Sequence, residues 1–269
     1  MATSSDPAAP RPSAAFFDLD KTIIATSSSM AFSRSFYEGG LVTRTDAIRT
    51  AYSQFVFLVG GADERQTTRL RDSLSVLIKG WEVKKVRQIV KETIHDHIDP
   101  VVYDEALDLI RRHHENGRDV IIVSASSSEL VKPIAKLLGA DGSISSKMES
   151  KKGLYTGEIT FYAYGQAKAD AMHAMAEKRG YDLERSFGYS DSITDAPMLN
   201  AVGHGFAVNP DRAMRRACAE NGWGVLRFKR PVDLRNSSAT RPAIATLLVV
   251  AAVAAAGVII FRTATRGRN

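Results

Sequence analysis

Two periods of apolar spacing divide this chain. Short unbroken runs at 14–19 and 119–123 have the length and composition of strands buried on both faces. Further strand-like stretches lie at 185–189 and 205–208, and a polar β-like section covers 143–160. Between the first two runs the period becomes helical. Helices are predicted over 43–59, ending at Gly60-Gly61, over 63–78, opened by Asp63 and stopped at Gly80, and over 82–98. Pro100 opens a fourth through 114, in which Val102, Ala106, Leu109 and Ile110 recur at helical spacing. Helices are also predicted over 129–138, 166–179 and 195–201. Alternating strand and helix predicts an α/β fold with a parallel sheet covered on both faces. The helical block between the first two strands is too long for a crossover and reads as an inserted cap.

Composition adds little: 44% hydrophobic and 25% charged residues over 269 positions suit a globular chain of one or two domains. The one cysteine, Cys218, excludes an intrachain disulfide and reads as a buried, inert thiol in a reducing compartment. Residues 1–13 are rich in Ala, Pro and Ser and lack the apolar region of a signal peptide, so a disordered leader is expected.

Charge changes the picture more. From Arg227 onward eight basic residues face one acid, Asp233, a net +7 against +6 for the whole chain. Residues 1–226 are therefore nearly neutral, which argues against nucleic acid as a partner despite a pI of about 9.4. Within that basic tail, 242–261 is uncharged over twenty residues, which at about 1.5 Å per residue spans about 30 Å. A C-terminal transmembrane helix is expected there, with 227–241 as a basic juxtamembrane linker, 262–269 as a tail, and the catalytic part on the cytoplasmic side.

In open α/β sheets ligands gather at the carboxyl ends of the strands. The first strand leads to Asp18 and Asp20, the second to Ser124, and the strand near Phe187 to Asp191 and Asp195. Lys168 stands at the start of a helix. Residues i and i+2 of a strand share a face, so Asp18 and Asp20 are expected to converge, which requires a cation or a shared proton. Taken singly, each has a plainer reading. The acids can cap helices or face solvent, Ser124 can simply end a strand, and Lys168 can be a solvated charge. His95, His97, His113 and His114 have no zinc spacing and read as surface imidazoles.

Together, Asp18-x-Asp20-x-Thr22, Ser124, Lys168 and Asp191-x-x-x-Asp195, in this order over 14–226, resemble the haloacid dehalogenase (HAD) superfamily of aspartate-nucleophile phosphatases. The position of the cap is similar to that of phosphoserine phosphatases. Phe-Phe-Asp-Leu-Asp-Lys-Thr and Tyr-Ser-Asp-Ser-Ile-Thr-Asp-Ala-Pro-Met-Leu resemble bacterial subfamily IB hydrolases. The resemblance implies a Rossmann-like core over 14–26 and 118–226 with a helical cap of the C1 type over 27–117. It implies Asp18 as nucleophile, Asp20 as acid and base, and Ser124 and Lys168 on the phosphate. It further implies Mg²⁺ on Asp18, the Asp20 carbonyl and Asp191, with Thr22 and Asp195 in support. Phosphoserine phosphatases carry a substrate-binding acid seven positions after the second aspartate, where this chain has Ser27. That departure, with the anchor, makes a phosphorylated lipid or lipid precursor the expected phosphate ester. A soluble metabolite such as phosphoserine, or a tail-anchored regulatory role, is the alternative.

Overall fold

The run Ala14–Asp18 forms β1, buried along its whole length, and Asp119–Ser127 forms β2 beside it. They pair in parallel, with Ala14 opposite Asp119 and Asp18 opposite Val123, so both strands deliver their polar ends to the same edge. The computed structural model describes residues 12–42, 72, 75–229 and 231. Its further strands are β3 (Gly142–Lys151), β4 (Leu154–Phe161), β5 (Phe187–Ser190), β6 (His204–Val208) and β7 (Gly224–Leu226). The sheet order is β4-β3-β2-β1-β5-β6-β7, parallel except for β4, which returns antiparallel to β3. The chain steps outward from β1 first towards β3 and later towards β7. The order thus reverses between β1 and β5, where an open α/β sheet leaves a crevice.

The helices are α1 (Ser28–Ala31), α2 (Ser33–Glu38), α3 (Val83–Ile98), α4 (Asp104–Glu115), α5 (Ser128–Leu137), α6 (Gln166–Arg179), α7 (Ala196–Asn200) and α8 (Arg212–Asn221). In α3 the buried positions Val83, Val86, Val90, Ile94 and Ile98 fall three to four apart, giving one apolar stripe. Strand pleating divides the core. Phe17 and Leu19 join Ile122, Leu130 and Ile134 on one face, while Phe16 joins Ile121, Val123, Met172 and Met198 on the other. Asp18 shares the face of Phe16. On that face α6 buries Lys168, Met172 and Ala176 in a single row, which brings the lysine to the end of β1.

Several sequence expectations need correction. No helix among the described residues is long and apolar enough to cross a membrane. The longest fully described helix, α3, has sixteen residues and carries Lys84, Lys85, Arg87 and Lys91, whereas a span needs about twenty mostly apolar ones. The expected C-terminal transmembrane helix over 242–261 falls outside the described residues, and with it the membrane location is withdrawn. The predicted helix over 43–59 and most of 63–78 also fall outside them. His113 is no surface imidazole: it is 3% exposed, packed edge-on to Phe17 and bonded to the Tyr189 hydroxyl at 2.9 Å. Arg118 donates to its Nδ1 at 2.9 Å, so Nε2 carries the proton given to Tyr189. Burial, with Arg118 and His114 nearby, lowers this imidazole to about 4 and keeps it neutral.

Candidate active site

β1 stops at Asp18 because the next residues turn. The amides of Thr22, Ile23 and Ile24 all point to the carbonyl of Leu19, at 3.3, 3.0 and 3.1 Å. Lys21 takes a left-handed conformation (φ 63°) to make the turn, an unusual state for a residue with a side chain. The turn buries Thr22 completely beside β5. Its hydroxyl accepts the Asp191 amide at 3.0 Å and lies 3.4 Å from Asp191 Oδ1, tying the first motif to the last.

Lys168 occupies the centre. Its Nζ donates to Asp18 Oδ1 and to Asp195 Oδ2, both at 2.7 Å, with all three side chains almost fully buried. Ser190 donates to the same Asp195 oxygen at 2.7 Å. Burial disfavours the ammonium, but Asp18 and Asp195 outweigh it and hold Lys168 above the usual lysine range. Burial pushes Asp18 well above the usual carboxylate range; Lys168 opposes the rise, and Asp195, Asp191 and Asp20 add to it. Asp191 is pushed up to about 6, chiefly by burial, with Lys21 opposing and Asp195 adding.

The structure brings Asp18, Lys168, Asp195, Asp191 and Thr22 together. Asp20 follows a different course from the one strand geometry predicts. It lies beyond the last strand residue, and its carboxylate is held by the Ser28 amide at 2.6 Å and the Ser126 hydroxyl at 3.0 Å. Ser124 is fully buried within β2, just before the strand loses register with β3, and its hydroxyl oxygen accepts the Ser126 amide at 3.1 Å. Ser27 serves α1: its hydroxyl caps the helix at the Met30 amide, 3.2 Å away. Sequence reasoning missed Ser28, Ser126 and Ser190. The only signal for Ser126 was its place in a serine-rich run after an apolar strand, which does not say which hydroxyl turns inward.

Four acids (Asp18, Asp20, Asp191 and Asp195) lie in this region, and among the described residues Lys168 and Lys21 are the cations that act on Asp18 and Asp191. The excess negative charge and the raised Asp18 and Asp191 suit a divalent cation. Among the described residues, no group of three or more His, Cys, Asp or Glu side chains is placed to hold a metal ion. A cation here would rely on fewer than three such side chains and would take its other oxygens from backbone, phosphate and water. That donor set suits Mg²⁺, which keeps water and binds few protein ligands.

A model of the haloacid dehalogenase-like hydrolase family matches residues 15–200. The chain belongs to this family. Over 95% of both chains it is 51% identical to the "Inhibition of morphological differentiation protein" of Streptomyces azureus. It is 50% identical to a probable phosphatase of Mycobacterium tuberculosis, over 89% of this chain and 83% of that one. A crystal structure of a Bordetella pertussis protein of unknown function matches with a TM-score of 0.71 and 25% identity, over 81% of this chain and 99% of that one. The haloacid dehalogenase-like match spans β1 through α7 and so includes all seven candidate site residues.

Proposed function

We propose that this haloacid dehalogenase-family phosphatase hydrolyses small phosphate monoesters through an aspartyl-phosphate formed on Asp18. The observation that carries the reading is the buried bridge of Lys168 between Asp18 and Asp195 at the switch point of the sheet. It engages Asp18 Oδ1 alone, which leaves Oδ2 to attack phosphorus. The new P–O bond forms as the ester P–O bond breaks, and Asp20 gives the departing alkoxide a proton. Asp20 then takes a proton from the water that attacks the aspartyl-phosphate, and Asp18 leaves as carboxylate. An ammonium has three N–H donors, so Lys168 keeps one for a phosphoryl oxygen beyond those given to Asp18 and Asp195. Ser124 holds a second phosphoryl oxygen. Asp18, the Asp20 carbonyl and Asp191 would hold Mg²⁺, which would supply the charge neutralisation that lets a carboxylate approach a phosphate dianion. The segment 27–117 is proposed to supply the cap over this site.

Without the anchor, the departure at Ser27 alone does not point to a lipid substrate. Ser27 carries no charge for an amino group and its hydroxyl is engaged in capping α1, which favours substrates without that ammonium. The test is phosphate release, with Mg²⁺ and with chelator, from glycerol 3-phosphate, phosphoserine, other alkyl phosphates and lysophosphatidate. A hydroxylamine-labile phosphoenzyme should be trapped on Asp18. Release from none of them, or no such phosphoenzyme, overturns the mechanism; preference for phosphoserine overturns only the reading of Ser27.

Asp191 allows a separate check. A carboxyl raised in the folded state contributes stability fully present below about pH 4 and lost as pH rises through about 6. His113, held neutral, acts in the opposite sense below its usual value, so the Asp191 contribution must be taken as a difference. The melting temperature of metal-free wild type relative to Asp191→Asn is expected to fall between about pH 4 and about pH 7. Mg²⁺ should remove the fall, because it competes with the proton for the carboxylate. A difference independent of pH would show that Asp191 ionises normally and needs no cation.

A further inference from the structure

The carboxylate of Asp20 is gripped from two directions. On one side the Ser28 amide, at the start of α1, donates to Oδ1 at 2.6 Å. On the other the Ser126 hydroxyl donates to Oδ2 at 3.0 Å and itself accepts the Ser28 hydroxyl at 2.8 Å. Ser28 is fully buried. Ser126 reaches Asp20 because β2 bulges: Ser124 pairs with Ser145, but the next pair on β3 is Ser127 with Ser146. The irregularity takes Ala125 and Ser126 out of the ladder, as bulges beside active sites do when they re-aim a side chain. The Ser126 amide turns back to Ser124, so one residue touches both the proposed phosphate-holding serine and the proposed acid.

We propose that Ser126, seated by the bulge and backed by Ser28, is the positioning residue that aims Asp20 at the leaving-group oxygen. Asp20 follows the end of β1 by two residues, in a turn, so no strand ladder sets its direction. A carboxylate with one donor on each oxygen has lost its free rotation, and its remaining lone pairs face a fixed direction. Ser28 follows Asp20 by eight residues and Ser126 lies on the core sheet, so the grip joins the start of α1 to β2. The substrates that depend on it are alkyl phosphates, whose poor leaving groups need a proton; an ester with a stable anionic leaving group does not.

This inference rests on Asp20 as the general acid, and the experiment separates the two. Phosphoenzyme formation is followed in single turnovers by rapid quench, with the fastest alkyl monoester of the panel above and with p-nitrophenyl phosphate. Ser126→Ala is expected to slow the alkyl ester by about 10- to 100-fold, a part of what general acid catalysis supplies, while p-nitrophenyl phosphate changes by less than about 3-fold. Ser126→Thr, which keeps the hydroxyl, should restore the alkyl rate. Equal losses on both substrates would mean a structural role and overturn the proposal. Asp20→Asn is the reference. If it shows no leaving-group dependence, the acid assignment itself falls; if it does and Ser126→Ala does not, only the positioning role falls.

Discussion

Asp18→Asn is expected to lower Mg²⁺-dependent phosphate release by at least about three orders of magnitude, because a carboxamide cannot form the acyl-phosphate. The same change should raise the melting temperature of the metal-free protein. Burial holds Asp18 well above its usual range even with Lys168 beside it, so its ionised form is a net cost to the folded state. Asparagine keeps an oxygen for the Lys168 Nζ and removes that cost. Loss of activity with gain of stability would mark a residue retained for chemistry. Phosphate release and calorimetry on one preparation check both halves, and a variant that still turns over would remove Asp18 as nucleophile.

Lys168→Met should damage both properties. It deletes the cation shared by Asp18 and Asp195, whose side chains are 8% and 4% exposed, and leaves two buried carboxylates facing each other. Breaking a buried pair in this way costs roughly 3–5 kcal/mol, on the order of 10 °C in melting temperature for a chain of this size. The loss should shrink as pH falls, because burial already raises the Asp18 carboxyl and favours its protonated form. Phosphate release should fall at least about 100-fold if, as proposed, this ammonium holds a phosphoryl oxygen. Lys168→Arg is not expected to rescue it, since a guanidinium cannot replace a compact ammonium in so closed a space. Wild-type melting in Lys168→Met would mean the acids are not ionised around it.

Legibility followed how local each signal was. The helix predicted over 166–179 has the bounds of α6, because Gly180, which ends it in the left-handed conformation, is a signal local to the sequence. The β2 prediction stopped at Val123, whereas the strand continues to Ser127, since nothing in a serine-rich run distinguishes an extended bulge from a loop. His113 read as surface because its burial depends on Phe17, Phe187 and Tyr189, which are distant in sequence.

The candidate site residues were legible as types near the ends of strands and the starts of helices. Asp18 ends β1, Asp191 follows β5, Asp195 precedes α7 and Lys168 lies in the first turn of α6, whereas Ser124 falls inside β2. Tertiary structure alone decided which atoms meet. Ser126 and Ser28 are ninety-eight positions apart, and Lys168 is one hundred and fifty from Asp18, so no local pattern could pair them. Asp18 and Asp20 show the difference most plainly. Strand geometry sends them to one point, but β1 ends between them, and the second carboxylate goes to the donors that packing supplies. Backbone period is a property of neighbours in sequence; a hydrogen-bond partner is a property of neighbours in space.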